Sequence, residues 1–552
     1  MTFRHWMITG TGLATALAAL LFVFAPVETE TTSYTWPEGP GARSAALPLM
    51  PGEPERVTVE FGCADVRALA GPGVLLSTTL PGEDGPEGSA ARDSAGTAEH
   101  GDGLVVSVAG TEGDRVSVTS AGRELVDSHP VGASCAWTVI SGGGTTTVSV
   151  DGARIGHAPG TPIVTGLSTD LDGPTGLRAT VVPDTRYEST PGPLKVALGV
   201  LVLAGLGTVF ALVRRWDRAR TPTVRLLPAR WWRPRWPDGV VALTLLAWML
   251  VGSPTVDDGY IVTMLKAAEE TGFVGNYFRW FNAPESPFSW FYELYRPLAE
   301  VSGAVWWLRL PSVLLGVVLW LCLDRLLVRR LVTGPARGAR WCAAAAFLLF
   351  YVQFGVGLRP EPWVMLGTLV VFVLVERAVA TRALTPLAAA ITAAAVTVAI
   401  TPTGLVALAP FVAALVPLTR LVWRYWPVVV PVSLACGASA ALLMVADQSL
   451  AAVLHSIDVR TTIGPNHGVL DESLRYEALF EPLRGGLNRR MPMLLLWLSM
   501  AVLLVLLLAR RTPGLAPGPT RRALVVTALF FGALAFTPTK YFHHFGAIGA
   551  LA

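Results

Sequence analysis

Apolar runs long enough to be helical spans recur through most of the chain, separated by short polar breaks. Stretches of about 20 apolar residues match the thickness of a bilayer's hydrocarbon core rather than the length of a core strand. They fall at 6–26, 193–213, 238–253, 304–322, 341–356, 362–380, 384–400, 403–418, 426–446, 493–509 and 523–536, with another beginning near Phe545. The first follows Arg4-His5 like a signal peptide, but no small-residue cleavage site stands out, and we read it as an uncleaved span. Residues 27–192 break the pattern. Gly, Pro, Ser, Thr and Asp dominate there, and short alternating runs such as Val57-Thr58-Val59 appear instead. The run 145–150 meets Asp151-Gly152 and then Ala153-Arg154-Ile155, a strong hairpin signal. Short strands with turn punctuation and almost no helical period predict a β-sandwich. Residues 82–103, rich in glycine, serine and acids, read as a mobile loop. Three regions follow: a first transmembrane helix (1–26), an inserted β-sandwich (27–192) and a multi-span α-helical membrane domain (193–552).

Composition agrees with a polytopic membrane protein. Of 552 residues, 52% are hydrophobic and 15% charged, where soluble domains carry about 25% charge. The net charge of +3 says little; the positions of the arginines say more. Arg214, Arg215, Arg218, Arg220, Arg225, Arg230, Arg233 and Arg235, interleaved with Trp231, Trp232 and Trp236, might pass for a nucleic-acid patch. Between two spans they are a positive-inside loop with interfacial tryptophans, and no nucleic-acid partner is expected. Alternating the spans brings 325–340, Arg377/Arg382, Arg420/Arg424 and 510–522 to that same cytoplasmic side. The same alternation puts the β domain, Asp257/Asp258, Arg359-Pro360-Glu361, Thr401-Pro402-Thr403, 447–490 and 537–544 outside. Cys322, Cys342 and Cys436 sit in or beside apolar runs and read as small buried hydrophobes. Cys63 and Cys135 share the polar domain and can pair if it faces an oxidising compartment.

The outer face gathers the chemistry. Asp257 and Asp258 stand at the mouth of a span, where carboxylates are costly unless used. The plain alternative is that Asp257 N-caps a helix beginning at Tyr260, with Asp258 as first-turn charge. Glu269, Glu270 and Glu285 follow among Tyr277, Phe278, Trp280, Phe281, Phe288, Trp290, Phe291 and Tyr292, most of which read as an interfacial aromatic belt. Arg359 can grip a phosphate at a turn fixed by Pro360, although from that triplet alone an Arg359–Glu361 ion pair is the leading reading. Lys540, Tyr541, His543 and His544 follow another span, and cations there suit a lipid-linked phosphate. Adjacent histidines do not share a helix face, so they are not read as a metal pair. The loop 447–490, with Asp458, Asp471, Glu472, Arg475, Glu477 and Glu481, is long enough to cover a site. Carboxylates, cations and aromatic platforms on one face suit glycosyl transfer from a polyprenyl-phosphate sugar. The leaving group is then already a phosphate that cations can stabilise, and no metal or other cofactor is required. A transporter fits less well, because its polar residues would lie near mid-bilayer. For the β domain, carbohydrate binding and inert packing stand as equal readings.

The motifs Asp257-Asp258-Gly259-Tyr260-Ile261, Asn276-Tyr277-Phe278-Arg279-Trp280-Phe281 and Pro284-Glu285-Ser286-Pro287-Phe288 resemble the actinobacterial cell-wall arabinosyltransferases, the Emb family. So do Trp307-Leu308-Arg309-Leu310-Pro311, Gly357-Leu358-Arg359-Pro360-Glu361-Pro362, Thr537-Pro538-Thr539-Lys540 and His543-His544-Phe545-Gly546. The matches cover most of 240–552; the β domain matches in outline only. The resemblance implies a membrane fold of the lipid-phosphate-sugar glycosyltransferase (GT-C) type, in the plasma membrane with its active site outside. It implies a decaprenyl-phosphoryl-arabinose donor, an arabinan or galactan acceptor, and an inverting transfer. Other implied partners are membrane lipid and a homo- or heterodimer with a paralogue. Asp257 falls on the family's catalytic base, and Glu285 on its acceptor- and inhibitor-contacting glutamate. Arg359 and the His543/His544 pair, His543 preferred, fall on its phosphate ligands. Asp258, Glu361, Lys540 and Tyr541 belong to the same substrate-binding set, with Asp258 leaning towards a structural role. Met264 matches a position associated with the drug ethambutol. Tyr541 stands where the family commonly has Trp. Family members are far longer, with a C-terminal carbohydrate-binding domain that often holds structural calcium. This stretch therefore reads as a truncated form, which leaves open whether a chain ending at Ala552 closes the site. Two alternatives stand beside arabinosyl transfer: another polyprenyl-phosphate sugar such as mannose, and a non-catalytic partner subunit or lipid-sugar binder.

Overall fold

The computed structural model describes residues 3–551 except 30–31, 40–43, 48, 50–52, 70, 80–101, 110–114, 133–134, 173–175, 222–224, 335–336 and 482–486. The stretch expected to be a mobile loop at 82–103 lies almost wholly outside the described residues. The chain divides into two compact units. One comprises Thr29–Ser189 with Tyr277–Asn282; the other comprises Met1–Glu28, Thr190–Asn276 and Ala283–Ala552.

The β unit holds two six-stranded antiparallel sheets. The first runs Ala153–Pro159, Thr145–Val150, Ala136–Gly142, Arg56–Gly62, Arg178–Val182, Tyr34–Trp36. The second runs Ser44–Ala46, Gly166–Ser168, Gly73–Ser77, Leu104–Ala109, Arg115–Ser120, Arg123–Pro130. Alternate residues of Arg56–Gly62 are buried, as period-two patterning requires. Val57, Val59 and Phe61 pack with Val139, Leu75, Val106 and Val118 in one core. The expected hairpin forms, with Thr145–Val150 paired to Ala153–Pro159. Its turn residues Asp151 (φ 49°) and Gly152 (φ 82°) both take the positive φ that a tight hairpin demands. Phe61 and Trp137 are cross-strand partners and stack with centroids 5.5 Å apart. Just beyond them a Cys63–Cys135 disulfide closes the pair of strands.

Among the described residues, six helices of the other unit are long and apolar enough to cross a membrane. They are His5–Phe24, Pro193–Arg218, Val305–Leu331, Glu361–Thr381, Leu415–Met444 and Asn488–Leu508. Trp236–Val251, Leu384–Val398 and Pro402–Ala413 are shorter apolar helices. The separate spans expected at 403–418 and 426–446 are corrected here. Pro402–Leu408 is a 3-10 turn, Ala409–Ala413 adds little more than one helical turn, and Leu415–Gly437 follows directly. Pro402 and Pro410 lack the amide donors that a continuous helix would need. The start expected at 426 survives as a break at Tyr425 (φ −129°, ψ 23°), where Pro427 leaves a carbonyl of the preceding turn without its donor. Of the cysteines expected to be buried, Cys436 is buried and Cys322 half-buried, whereas Cys342 is exposed.

The helices pack into two hydrophobic clusters. One gathers Leu245, Ile261, Met264, Phe291, Trp320, Tyr351 and Phe530; the other gathers Ile8, Val202, Val209, Leu387, Val432 and Cys436. Glu361–Thr381 belongs to both, giving Val364, Leu369 and Phe372 to the first and Val371, Val375 and Ala378 to the second. A 21-residue helix rises about 1.5 Å per residue and so runs through the unit for about 30 Å.

Truncating Trp137 to Ala should destabilise the β unit by about 3–5 kcal/mol, because the ring is 1% exposed at the sheet centre. Limited proteolysis of the full chain across a urea series, followed at sites in 29–189, measures the shift.

Candidate active site

The helix Val256–Thr271 is begun by Thr255, not by Asp257. Thr255 Oγ1 accepts the Asp258 amide at 3.3 Å, and Asp258 Oδ2 accepts the Thr255 amide at 3.0 Å. This reciprocal capping box satisfies two of the donors that a helix start leaves unpaired. The expectation that Asp257 is the cap is therefore corrected: its neighbours do that work and its carboxylate is left to point elsewhere.

Asp258 is 1% exposed. Arg309 Nη2 donates to its Oδ2 at 3.0 Å and the Leu358 amide to its Oδ1 at 2.9 Å. The same guanidinium reaches the Gly252 and Ser253 carbonyls at 2.7 and 3.0 Å. These Asp258 contacts are internal, as its expected lean towards a structural role implies: it fixes the turn 355–360 against the start of the helix. Gly357 is required at that contact, since a Cβ there would stand 2.9 Å from Asp258 Oδ1. The turn delivers Arg359 to the neighbouring carboxylate.

Arg359 Nε lies 3.1 Å from Asp257 Oδ2, and His543 Nε2 lies 3.8 Å from the same oxygen. Asp257 keeps 25% of its side-chain surface exposed, against 10% for Arg359 and 16% for His543. On its other side Arg359 Nη2 meets Glu361 Oε1 at 3.3 Å. Glu361 is 2% exposed and forms a buried counter-charge to Arg359, the ion pair that the triplet led one to expect. Glu285, accepting from Asn276 Nδ2 at 2.8 Å, completes the carboxylates on this side. Tyr260 and Tyr292 meet at their hydroxyls, 3.5 Å apart. Burial, with Glu285 and Asp257 close by, raises the Tyr260 hydroxyl above its ordinary 10.0. Met264 lies two helical turns from Asp257, buried in the first hydrophobic cluster.

The segment 537–544 divides between structure and site. Lys540 Nζ donates to the Ala535 and Thr537 carbonyls at 2.8 and 3.0 Å and lies 3.4 Å from Glu472 Oε2. With its side chain 1% exposed, Lys540 closes the end of helix Pro517–Leu534. His544 is turned the same way. Its Nδ1 accepts from Arg475 Nη1 at 2.8 Å, which leaves any ring proton on Nε2. Burial beside Arg475, Arg359 and Lys540 holds its pKa well below the ordinary 6.5. Arg475 is fully buried and also bonds Glu472, Thr537 and the Leu534, Thr539 and Tyr541 carbonyls, tying the whole segment together. His543 and Tyr541 remain on the open side, stacked with centroids 5.2 Å apart at 16°.

Arg489 was not among the residues expected at the site. It stands at the start of helix Leu487–Leu508, its guanidinium over the Phe542 ring at 5.5 Å and within electrostatic reach of Asp257, Arg359 and Glu361. A signal was present: Arg489-Arg490 is an arginine pair assigned to the outer side, against the positive-inside trend. Among the described residues no group of three or more His, Cys, Asp or Glu is arranged to hold a metal ion.

Residues 190–552 match the family model described as "Mycobacterial cell wall arabinan synthesis protein", and residues 28–186 match the "Arabinosyltransferase concanavalin like domain". The chain belongs to the arabinosyltransferase family. It is 36% identical to a probable arabinosyltransferase B of Mycobacterium avium over 99% of this chain and 52% of that relative. It is 38% identical to a probable arabinosyltransferase C of Mycobacterium tuberculosis over 71% of this chain and 37% of the relative. The cryo-EM structure of arabinosyltransferase EmbB from Mycobacterium smegmatis superposes with a TM-score of 0.78 at 31% identity, covering 99% of this chain and 52% of that one. The chain thus spans about half the length of these family members. The family resemblance read from the Asp257, Arg359 and His543 motifs is confirmed at this level.

Two outcomes are expected from this geometry. Arg309→Met should destabilise the membrane unit by about 3–5 kcal/mol, because it strands the buried Asp258 carboxylate; thermal unfolding in detergent reads it. His544 binds its proton less readily folded than unfolded. Its contribution to stability is therefore full above pH 6.5 and is lost as pH falls below 6.5 towards the lowered folded value. His544→Asn should flatten the fall in unfolding temperature over that acid range.

Proposed function

We propose that this chain carries the active site of an arabinofuranosyltransferase that uses decaprenyl-phosphoryl-arabinose and extends cell-wall arabinan or galactan at the outer face of the plasma membrane. The observation that carries the proposal is the meeting of Arg359 and His543 at Asp257 Oδ2, 3.1 and 3.8 Å away, on the one carboxylate of the pair freed from capping. Family membership supports the sugar class, and the lipid-linked donor fits the cations. Arg359, His543 and Arg489 bind the donor phosphate. Asp257 takes the proton of the acceptor hydroxyl as its oxygen bonds to the anomeric carbon. The bond from that carbon to the phosphate oxygen breaks, and decaprenyl phosphate leaves with the electron pair. Attack opposite the leaving group inverts the anomeric centre. Because charge on the leaving phosphate is met by guanidinium and imidazole, no metal is assigned a step.

The salt bridge supports an order of events. In the empty site Arg359 occupies Asp257; an arriving phosphate competes for the guanidinium and releases the carboxylate for the hydroxyl. Glu285 and exposed Tyr541, stacked on His543, are placed to orient the acceptor. The β unit serves as a carbohydrate-binding module, and the protein works as a dimer with a copy or paralogue.

Asp257→Asn in the full-length protein should lower transfer from decaprenyl-phosphoryl-arabinose by about 10²–10⁴-fold while donor binding persists. Undiminished turnover sinks the assignment. Transfer from the mannosyl donor alone moves the enzyme to the other polyprenyl-phosphate sugar. Donor binding without any transfer by the unaltered protein favours the non-catalytic reading.

A further inference from the structure

The turn that carries Glu285 is held in place by bonds to its main chain. The Asn276 amide donates to the Ala283 carbonyl at 3.1 Å, and the Phe288 amide to the Glu285 carbonyl at 2.9 Å. Two remote contacts clamp its ends: Ser456 Oγ donates to the Pro284 carbonyl at 2.6 Å, and Trp290 Nε1 to the Ala399 carbonyl at 2.7 Å. None of these four bonds uses the side chain of Asn276. That residue is 2% exposed, and its Nδ2 donates to Glu285 Oε1 at 2.8 Å. An ionised carboxylate only accepts, so the amide must present its nitrogen there. Because the backbone is already fixed, what this buried amide sets is the rotation of one carboxylate.

The residue type fits a carboxylate kept for work at neutral pH. Lysine or arginine in its place would cancel the charge of Glu285, whereas an amide holds one oxygen without neutralising it. A charged carboxylate repels a phosphate but accepts strongly from a hydroxyl. The cations suited to a phosphate gather elsewhere, around Asp257. The ionisable groups that act with Glu285 are Tyr260 and Tyr292, with Asp257 and Arg359 behind them. Burial keeps both phenols protonated well above neutral pH, so neither titrates where the carboxylate works.

We propose that Asn276 is a positioning residue for the acceptor: its amide sets Glu285 to receive an acceptor hydroxyl, so that Asn276 governs affinity for the acceptor and not for the lipid-linked donor. The inference rests on the acceptor role given to Glu285 above, and Asn276 acts only through that carboxylate.

Transfer kinetics of the full-length protein in proteoliposomes test it, with decaprenyl-phosphoryl-arabinose as donor and a synthetic arabinofuranosyl oligosaccharide as acceptor. Asn276→Ala should raise the acceptor KM roughly tenfold and leave the donor KM within about twofold. Asn276→Asp gives a sharper readout. Two carboxyls sharing that contact hold one proton in acid, and the introduced carboxyl then donates to Glu285 as the amide does; as pH rises the proton leaves and the pair repels. Relative to the unaltered protein, its acceptor KM should therefore be near normal at about pH 5.5 and rise roughly tenfold by about pH 8. A merely structural role moves both KM values together and gives a flat ratio across pH, and either result overturns the proposal. If Asn276→Asp does not fold, the KM split in Asn276→Ala decides alone. Glu285→Gln separates the two levels. A raised acceptor KM there, with normal values in the Asn276 variants, refutes only the positioning role. An unchanged acceptor KM in Glu285→Gln, or no transfer by the unaltered protein, overturns the underlying reading and this inference with it.

Discussion

The buried ion pair between Asp258 and Arg309 is the contact on which the site depends. It joins three stretches remote in sequence: the 252–258 link from one helix to the next, the start of the helix at Arg309, and the turn before Arg359. A charge pair so enclosed is rarely a large net source of stability. Its value here lies in geometry, because each partner's remaining donors or lone pairs go to a different piece of backbone. Asp257 and Arg359 thereby face one another although neither is held mainly by the other. An acidic doublet thus divides its labour, with one carboxylate given wholly to structure so that its neighbour is free to react.

The segment after Pro517–Leu534 follows the same principle. Arg475 uses its guanidinium on three carbonyls, a threonine, a glutamate and His544. Lys540 closes the preceding helix. The result is a shelf on which His543 and Tyr541 stack away from Arg475. The histidine pair divides as the aspartate pair does, His544 bonded to Arg475 and His543 turned to Asp257.

Much of the architecture was legible along the chain because periodicity and turn chemistry are local. The Asp151-Gly152 hairpin, the alternating strands and most apolar helices follow from neighbours a few residues apart. The capping box was legible too, as Thr255 three residues before Asp258, although the cap was weighed only as an alternative role for Asp257. The internal partners of Lys540 and His544 were not legible, for a common reason. An interfacial cation or carboxylate looks the same in sequence whether it meets a ligand or a partner 60 residues away, and only the fold supplies Arg475 to His544. Arg489 was missed because its neighbours at Arg359 and Asp257 are equally remote. The turn at Ala414 was missed because hydrophobicity alone does not register where prolines interrupt a helix.

One feature of the membrane unit limits how it can move. Glu361–Thr381 is shared by both hydrophobic clusters, so neither cluster can rotate or slide without carrying that helix with it. It works as a common axle. Any shift of that helix therefore reaches both clusters at once, and the Arg359 turn from which it starts is tied to the packing of the whole membrane unit.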